Sequence, residues 1–203
     1  MSATLAPPPP VSVTAPPAAA KMTEAEYLAF ERNAPGNGPR HEFVDGELIE
    51  MPGASRLHNL IARRTCRAIE DLLSGRPFEI YQSDMRLRVP SGRCRYPDVI
   101  VAPSPPDLAP GDEQDMLLNP VVLVEELSPS TAVIDRVDKQ AEYREIPSLT
   151  DYLILSQDEP RCDHYSRLGP DAWKLVTLVG PDAVAALTDL GDLPLGSLFP
   201  PAD

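Results

Sequence analysis

The alternation of apolar and polar residues predicts a domain that mixes helices with strands. Between residues 55 and 75 the apolar positions lie three or four residues apart, which is a helical spacing, and Gly75 supplies a stop. The stretch 121–128 (VVLVEELS) is instead a run of branched apolar residues, too short for such a helix and typical of a buried strand. Both kinds of element therefore occur in one chain.

Shorter stretches complete the predicted set. Thr23 and Glu26 have the spacing of a capping box, which marks the start of a helix. Asp45–Gly46 predicts a tight turn between two short strands, and the Pro- and Asp-rich stretch 103–119 predicts a long loop. The predicted helices are 22–33, 55–75 and 133–146, and the predicted strands are 41–51 (two strands), 78–90, 94–102, 121–128, 151–156, 161–168 and 172–180. This order predicts an α/β or α+β fold, with helices around one mixed sheet.

Composition divides the chain into a tail and a domain. Residues 1–20 carry no Lys, Arg, Asp or Glu and consist largely of Pro and Ala, so we predict a disordered tail there and one domain at 21–200. The tail lacks the basic start of a signal peptide, and no apolar run approaches the roughly 20 residues of a membrane-spanning helix. We therefore expect no membrane contact.

The three cysteines, Cys66, Cys94 and Cys162, form no CxxC pair. An odd number of widely spaced cysteines argues against a disulfide framework. We expect buried free thiols and a cytoplasmic location, because a reducing compartment keeps thiols unpaired.

The formal net charge of −13 falls entirely on residues 21–203. It argues against a protein that grips nucleic acid over its whole surface, because such binding depends on neutralising phosphates. A local basic groove remains open. Two basic clusters stand out, one of Arg56, Arg63, Arg64 and Arg67 and the other of Arg86, Arg88, Arg93 and Arg95. The simpler interpretation of both clusters is solvated charge on a helix and a hairpin.

Carboxylates occupy unexpected places in the predicted strands. Asp98 begins one strand, Glu125 and Glu126 end another, and Lys139 lies on the following helix. Because side chains alternate along a strand, only one of the two glutamates can share a face with Asp98. Two carboxylates at a sheet end suit Mg²⁺ or Mn²⁺, and a lysine could orient or deprotonate a water or offset negative charge. These parts suit phosphodiester hydrolysis. By spacing alone, a structural ion pair is the simpler interpretation.

Several longer segments resemble the Uma family of bacterial restriction-endonuclease-like proteins, within the PD-(D/E)xK nuclease superfamily. These segments are YPDVIVA (96–102), VVLVEELSPST (121–131), DRVDKQAEYREIPSLTDYLIL (135–155) and HEFVDGELIEMPGAS (41–55), the last followed by His58 on a helix. The resemblance covers about residues 22–200. It implies a restriction-endonuclease-like core with a central mixed β-sheet flanked by helices.

The resemblance also implies a catalytic set of Asp98, Glu125 and Lys139 with Mg²⁺ (or Mn²⁺) as the cofactor. Asp98, Glu125 and the backbone carbonyl of Glu126 would be the metal ligands. The usual lysine position, two residues after Glu125, holds Leu127, so Lys139 would be a lysine displaced to the helix. Position 126 is usually apolar in the family. The side chain of Glu126 is therefore expected either to face the surface or to compete with Glu125 for the metal.

Supporting roles follow from the same resemblance. Glu42 matches an acidic position and would contact the metal through water, and Tyr143 matches an aromatic position one helical turn beyond Lys139. His58 would contact a phosphate or the metal, or would be an ordinary helix histidine.

The remaining candidate residues have simpler expected roles. His41 and His164 are expected to be structural, Trp173 to lie in the core, and Asp45 to form part of its turn. Arg63, Arg64 and Arg67 could line a nucleic-acid groove, although solvated charge remains the alternative.

Three functions remain open at this point. The first is a Mg²⁺-dependent endonuclease acting on DNA, with a homodimer implied by the resemblance because such enzymes often pair to cut two strands. The second is an inactive nuclease-fold scaffold whose acidic surface binds a basic partner. The third is a nuclease for RNA or structured substrates, since metal chemistry on the phosphodiester does not distinguish DNA from RNA.

Overall fold

A computed structural model describes residues 21–35, 38–51, 53–111, 113–127 and 134–200, with only the backbone at 134–136. The predicted tail at 1–20 lies outside these ranges, as do residues 128–133 between a predicted strand and helix. Within the described ranges, no helix is both long enough and apolar enough to cross a membrane.

The helices agree with the predicted ones, apart from a short additional helix near the C-terminus. They are α1 (Glu24–Asn33), α2 (Arg56–Leu72), α3 (Ile134–Arg144) and α4 (Leu195–Leu198). The predicted capping box is confirmed, because the Glu26 amide donates to Thr23 Oγ1 at 3.2 Å and the Thr23 amide donates to Glu26 Oε2 at 2.8 Å. Ser55 caps α2 by accepting a hydrogen bond from the amide of His58 at 3.1 Å. This cap fixes the first turn of α2, where His58 lies.

The strands of the described chain form two large sheets and one hairpin. In chain order they are β1 (His41–Val44), β2 (Glu47–Glu50), β3 (Phe78–Gln82), β4 (Arg86–Arg88), β5 (Cys94–Arg95), β6 (Val99–Pro103), β7 (Met116–Leu117), β8 (Val122–Leu127), β9 (Asp151–Ser156), β10 (Arg161–Gly169), β11 (Ala172–Val179), β12 (Val184–Leu187) and β13 (Gly191–Pro194). The six-stranded sheet has the order β11-β10-β9-β8-β6-β3. It is mixed, because β8 and β9 are parallel while its other neighbours are antiparallel.

The expectation of a single sheet was wrong. The predicted strands 78–90 and 94–102 each break in two, near Ser83 and near Pro97. Their inner halves, β4 and β5, join a five-stranded sheet of order β2-β1-β5-β4-β7. Ser83 has a positive φ of 56°, which turns the chain out of the first sheet. The hydrophobic pattern could not show the two breaks, because apolar residues continue on both sides of each. The predicted fold class, a mixed sheet flanked by helices, is confirmed.

Each face of the six-stranded sheet carries its own hydrophobic layer. On one face Ile69 of α2 packs in the same cluster as Val124 of β8. On the other face Tyr143 of α3 packs in the same cluster as Leu123 of β8. The strand therefore presents alternate residues to two different helices, as its pleat requires.

The second basic cluster is not a solvated surface, contrary to the simpler expectation. Arg86 and Arg95 are buried. Arg86 pairs with Asp115 at 2.9 Å and lies over the rings of Tyr27 and Tyr96, where aromatic faces attract the guanidinium. This cluster therefore joins elements of the fold rather than forming an open basic groove.

Other single-residue expectations had mixed outcomes. All three cysteines are free and buried, as predicted. His164 is buried and 2.8 Å from Asp151 Oδ1, which fits its expected structural role. Trp173 was expected in the core, but it is only half-buried because β11 is an edge strand of its sheet, and Arg167 stacks on it at 4.4 Å.

Candidate active site

Asp98 lies where β6 begins and bridges β8 and α2. Val99 pairs with Val124 in antiparallel register, and continuing that register by one residue places Asp98 opposite Glu125. Asp98 Oδ2 accepts the backbone N–H of Glu126 at 2.7 Å, and Oδ1 lies 2.8 Å from His58 Nε2. Both oxygens are therefore held by the surrounding fold.

Glu125 is surrounded by residues of α3. Tyr143 donates its hydroxyl to Glu125 Oε1 at 2.8 Å, and Lys139 Nζ lies 3.5 Å from the same oxygen. One helical turn separates Lys139 from Tyr143, so both reach one carboxylate. Burial raises the pKa of Glu125, while the charge of Lys139 opposes this rise and the charge of Asp98 adds to it. A divalent cation beside such a carboxyl would favour its ionised form.

Glu126 points to the opposite face of β8, towards α2. Its side chain is buried, and among the described residues neither carboxylate oxygen has a hydrogen-bond partner. His58 Nδ1 lies 3.8 Å from Oε2. Burial raises the pKa of Glu126 to about 8. Of the two alternatives for this side chain, the surface position is therefore wrong, and competition with Glu125 for a metal stays a prediction.

His58 connects Asp98 to the loop after β9. Its Nε2 contacts Asp98, and its Nδ1 lies 3.2 Å from the side-chain amide of Gln157. The hydrogen bond with Asp98 raises the pKa of His58. In this structure His58 orients a carboxylate, and its contact with a phosphate or metal stays a prediction. Gln157 carried no recognisable sequence signal, because a glutamine in a loop is common.

Glu42 holds two cations. Its Oε1 lies 3.0 Å from Lys139 Nζ, and its Oε2 accepts from Arg95 Nη1 at 2.7 Å. Burial acts to raise the pKa of Glu42, but the charges of Lys139 and Arg95 outweigh it and the pKa is lowered. The implied water-mediated metal contact of Glu42 stays a prediction. Arg95 and Glu142, which complete this group, were not predicted as site residues.

The arginines proposed for a groove lie on α2. Arg63 and Arg67 are exposed and Arg64 is half-buried. Arg67 Nε lies 4.0 Å from Asp71 Oδ2, one turn along the same helix. Such an exposed pair is weak, so it leaves Arg67 able to move to another anion. Their role in nucleic-acid binding stays a prediction.

The donor set suits a small hard cation. In the described ranges no group of three or more His, Cys, Asp or Glu side chains is arranged to hold a metal ion. Mg²⁺, however, commonly takes only one or two protein carboxylates and completes its shell with waters and substrate phosphates. Asp98, Glu125 and the carbonyl of Glu126 amount to such a set, and their oxygens are the donors that Mg²⁺ and Mn²⁺ prefer. The residues therefore fit the ion that the resemblance implies.

Comparison with known proteins places the chain among restriction-endonuclease-like proteins. A family model described as "Putative restriction endonuclease" (Uma2) matches residues 25–194. Two uncharacterized proteins of Synechocystis sp. strain PCC 6803 are similar. One, sll1609, is 36% identical over 163 residues, which cover 80% of this chain and 90% of the length of sll1609. The other, slr1290, is 30% identical over 163 residues, covering 80% of this chain and 83% of its own.

A solved structure has the same architecture. It is the crystal structure of a "putative nuclease belonging to DUF820" from Anabaena variabilis, with a TM-score of 0.67 and 18% sequence identity, covering 88% of this chain and 97% of that one. At this identity the similarity is evidence for the fold. Because the family model spans most of the chain and sll1609 is similar over most of its own length, the chain belongs to the Uma2 family and has a restriction-endonuclease-like fold.

Proposed function

We propose that this protein is a Mg²⁺- or Mn²⁺-dependent endonuclease that hydrolyses phosphodiester bonds of DNA, with Asp98, Glu125 and Lys139 as its catalytic residues. The observation that supports it most strongly is the position of Lys139, whose Nζ lies 3.5 Å from Glu125 Oε1 although it comes from a helix. Leu127 occupies the strand position where a lysine would be usual, so the ammonium reaches the carboxylate by another route. The membership of the chain in the Uma2 family supports the same reaction class.

Each residue has a distinct part in this proposal. When bound, the divalent ion would lower the pKa of a water and offset the charge of the phosphate. Asp98 and Glu125 supply carboxylate oxygens, and His58 and Tyr143 hold those carboxylates in place through hydrogen bonds of 2.8 Å each. The ammonium of Lys139 lies where it can orient a water or stabilise developing negative charge.

A nuclease-fold scaffold is the second candidate. It is favoured by the formal net charge of −13, which would repel a nucleic acid except at a local groove. Such a scaffold would keep the fold and bind a basic protein surface. It would have no need of a divalent ion at Asp98 and Glu125, so metal binding separates the two candidates.

The proposed activity predicts ion-dependent cleavage. The purified full chain is expected to nick or linearise supercoiled plasmid DNA with Mg²⁺ or Mn²⁺, and to leave it intact with excess chelator, because the metal-activated water is then lost. Gel electrophoresis of plasmid and of structured RNA, treated in parallel, measures this. Cleavage of the RNA alone would reassign the substrate to RNA. Equal cleavage with and without chelator would reject the metal-dependent mechanism.

We further propose that the enzyme acts as a homodimer. Two copies could each cut one strand of a duplex, which a single active site per chain cannot do at once. Light scattering of the purified chain measures the mass in solution, where two copies of the 22.1 kDa chain are expected.

A further inference from the structure

Lys139 needs support that a strand lysine would not need. A lysine on β8 would have its backbone fixed by the sheet. Lys139 instead lies on α3, which follows β8 in the sequence after residues 128–133. Its ammonium is also a point charge on a flexible four-carbon stem. Something outside the usual motif must therefore define where this ammonium lies.

Lys139 and three other charged side chains form a ring of contacts. Lys139 Nζ is 3.0 Å from Glu42 Oε1, and Glu42 Oε2 is 2.7 Å from Arg95 Nη1. Arg95 then pairs with Glu142 through two parallel hydrogen bonds, from Nε to Oε2 at 2.9 Å and from Nη2 to Oε1 at 2.7 Å. Glu142 follows Lys139 by three residues on α3, so the helix itself closes the ring.

The ring is shielded from water. The side-chain exposures are 11% for Lys139, 6% for Glu42, 3% for Arg95 and 7% for Glu142. Buried ion pairs seldom stabilise a fold more than apolar packing of the same volume would. A ring of buried ion pairs would therefore add little net stability to the contact between the helix and the sheet. What it adds is geometry, because forked arginine–carboxylate pairs fix direction as well as distance.

We propose that Arg95 and Glu142 are positioning residues, which act through Glu42 to hold the Lys139 ammonium beside Glu125. The catalytic effect of these residues rests on the proposed nuclease function, whereas their effect on the position of Lys139 does not. Glu42 joins the two halves of the ring, with one oxygen on each cation. Arg93 also contacts Glu142 and reaches Asp45 in the turn between β1 and β2, which connects the ring to that hairpin.

Loss of Glu142 should loosen Lys139. Without this carboxylate, Arg95 can turn its free edge to Glu42 and compete with Lys139 for it. Lys139 then shares the Glu42 carboxylate with a second contact from Arg95 and is held less firmly beside Glu125. A less firmly held side chain reaches the solvent more often, and there its amine can react with an acylating reagent.

The chain offers a direct readout, because it has only three lysines, Lys21, Lys139 and Lys174. The full chain is treated with limiting N-hydroxysuccinimidyl acetate, and mass spectrometry measures the acetylation rate at each lysine. In Glu142→Gln the rate at Lys139, relative to exposed Lys174, is expected to rise on the order of threefold to tenfold. The matched control is Glu145→Gln, the same change at an exposed position just after the end of α3, which should leave the ratio unchanged.

Cleavage kinetics test the functional half on the same variants. With equal thermal unfolding midpoints verified, Glu142→Gln is expected to lower kcat roughly 10-fold and to change KM less than about twofold. Acetylation equal to that of the Glu145→Gln control would overturn the proposal. So would faster acetylation with unchanged kcat. If the wild-type chain cleaves nothing, the proposed function fails, and the acetylation ratio alone decides whether the ring holds Lys139.

Discussion

Replacing Asp98 with asparagine is expected to lower the rate of metal-dependent DNA cleavage by about 10³-fold or more. Asparagine keeps the size of the side chain and an oxygen that can still accept the Glu126 amide, so the fold should persist. It removes the negative charge that a divalent ion requires at this position. Initial rates of plasmid nicking, measured at equal protein and Mg²⁺ concentrations, give the comparison.

Asp84→Asn is the matched control for this change. Asp84 follows Ser83, whose amide donates to the Asp98 carbonyl, but its own side chain is exposed and pairs with Arg40. The control should cleave at the wild-type rate. Equal rates for Asp98→Asn and the wild type would show that cleavage in the preparation arises elsewhere.

Replacing Glu126 with methionine is expected to stabilise the fold, increasingly so as the pH rises. The pKa of Glu126 is raised from 4.5 to about 8, so between these values the folded chain binds more protons than the unfolded chain. The free energy of unfolding of the wild type therefore falls as the pH rises through this window. Methionine removes that loss, so between pH 4.5 and pH 8.5 the variant should gain on the order of 4 to 5 kcal/mol on the wild type, which is the pKa displacement at 1.36 kcal/mol per pKa unit.

Urea unfolding at several pH values measures this difference. His58 also has a raised pKa and contributes a slope of the same sign, but its first cause is Asp98, which the variant retains. Glu70→Met, at an exposed position on α2, controls for the change in net charge. If the gap between Glu126→Met and the wild type does not widen with pH, Glu126 ionises as readily in the folded chain as in the unfolded one, which would contradict this prediction. Cleavage should persist in Glu126→Met, because the backbone carbonyl at this position is kept.

The sequence was most informative about side-chain directions within a single strand. Alternation along β8 was enough to predict that Glu125 and Glu126 face opposite sides, and the structure places them against α3 and α2 respectively. The position of Lys139 beside Glu125 came from the family resemblance, because a contact between a strand and a later helix depends on the path of the chain between them. Helix boundaries followed from capping residues and breakers, which act locally.

Contacts between distant segments were not predictable in the same way. Arg95 and Glu142 are far apart in sequence, and nothing in the sequence marked them as a buried ion pair. The division into two sheets was hidden for a related reason, since a strand that changes sheets keeps the same apolar pattern. Glu42 showed the limit of the resemblance, which marked the position as acidic without revealing that its partners would be Lys139 and Arg95.

Calorimetric titration of the full chain with Mg²⁺ and with Mn²⁺ tests the central claim most directly, namely that Asp98 and Glu125 together hold a divalent ion. We expect the wild type to bind with a roughly millimolar or tighter dissociation constant, and Glu125→Gln to lose that binding because its neutral amide is a poorer ligand. Glu70→Gln, which removes an exposed carboxylate, should bind as the wild type does. No binding by the wild type, or equal binding by Glu125→Gln, would contradict the claim and favour a scaffold.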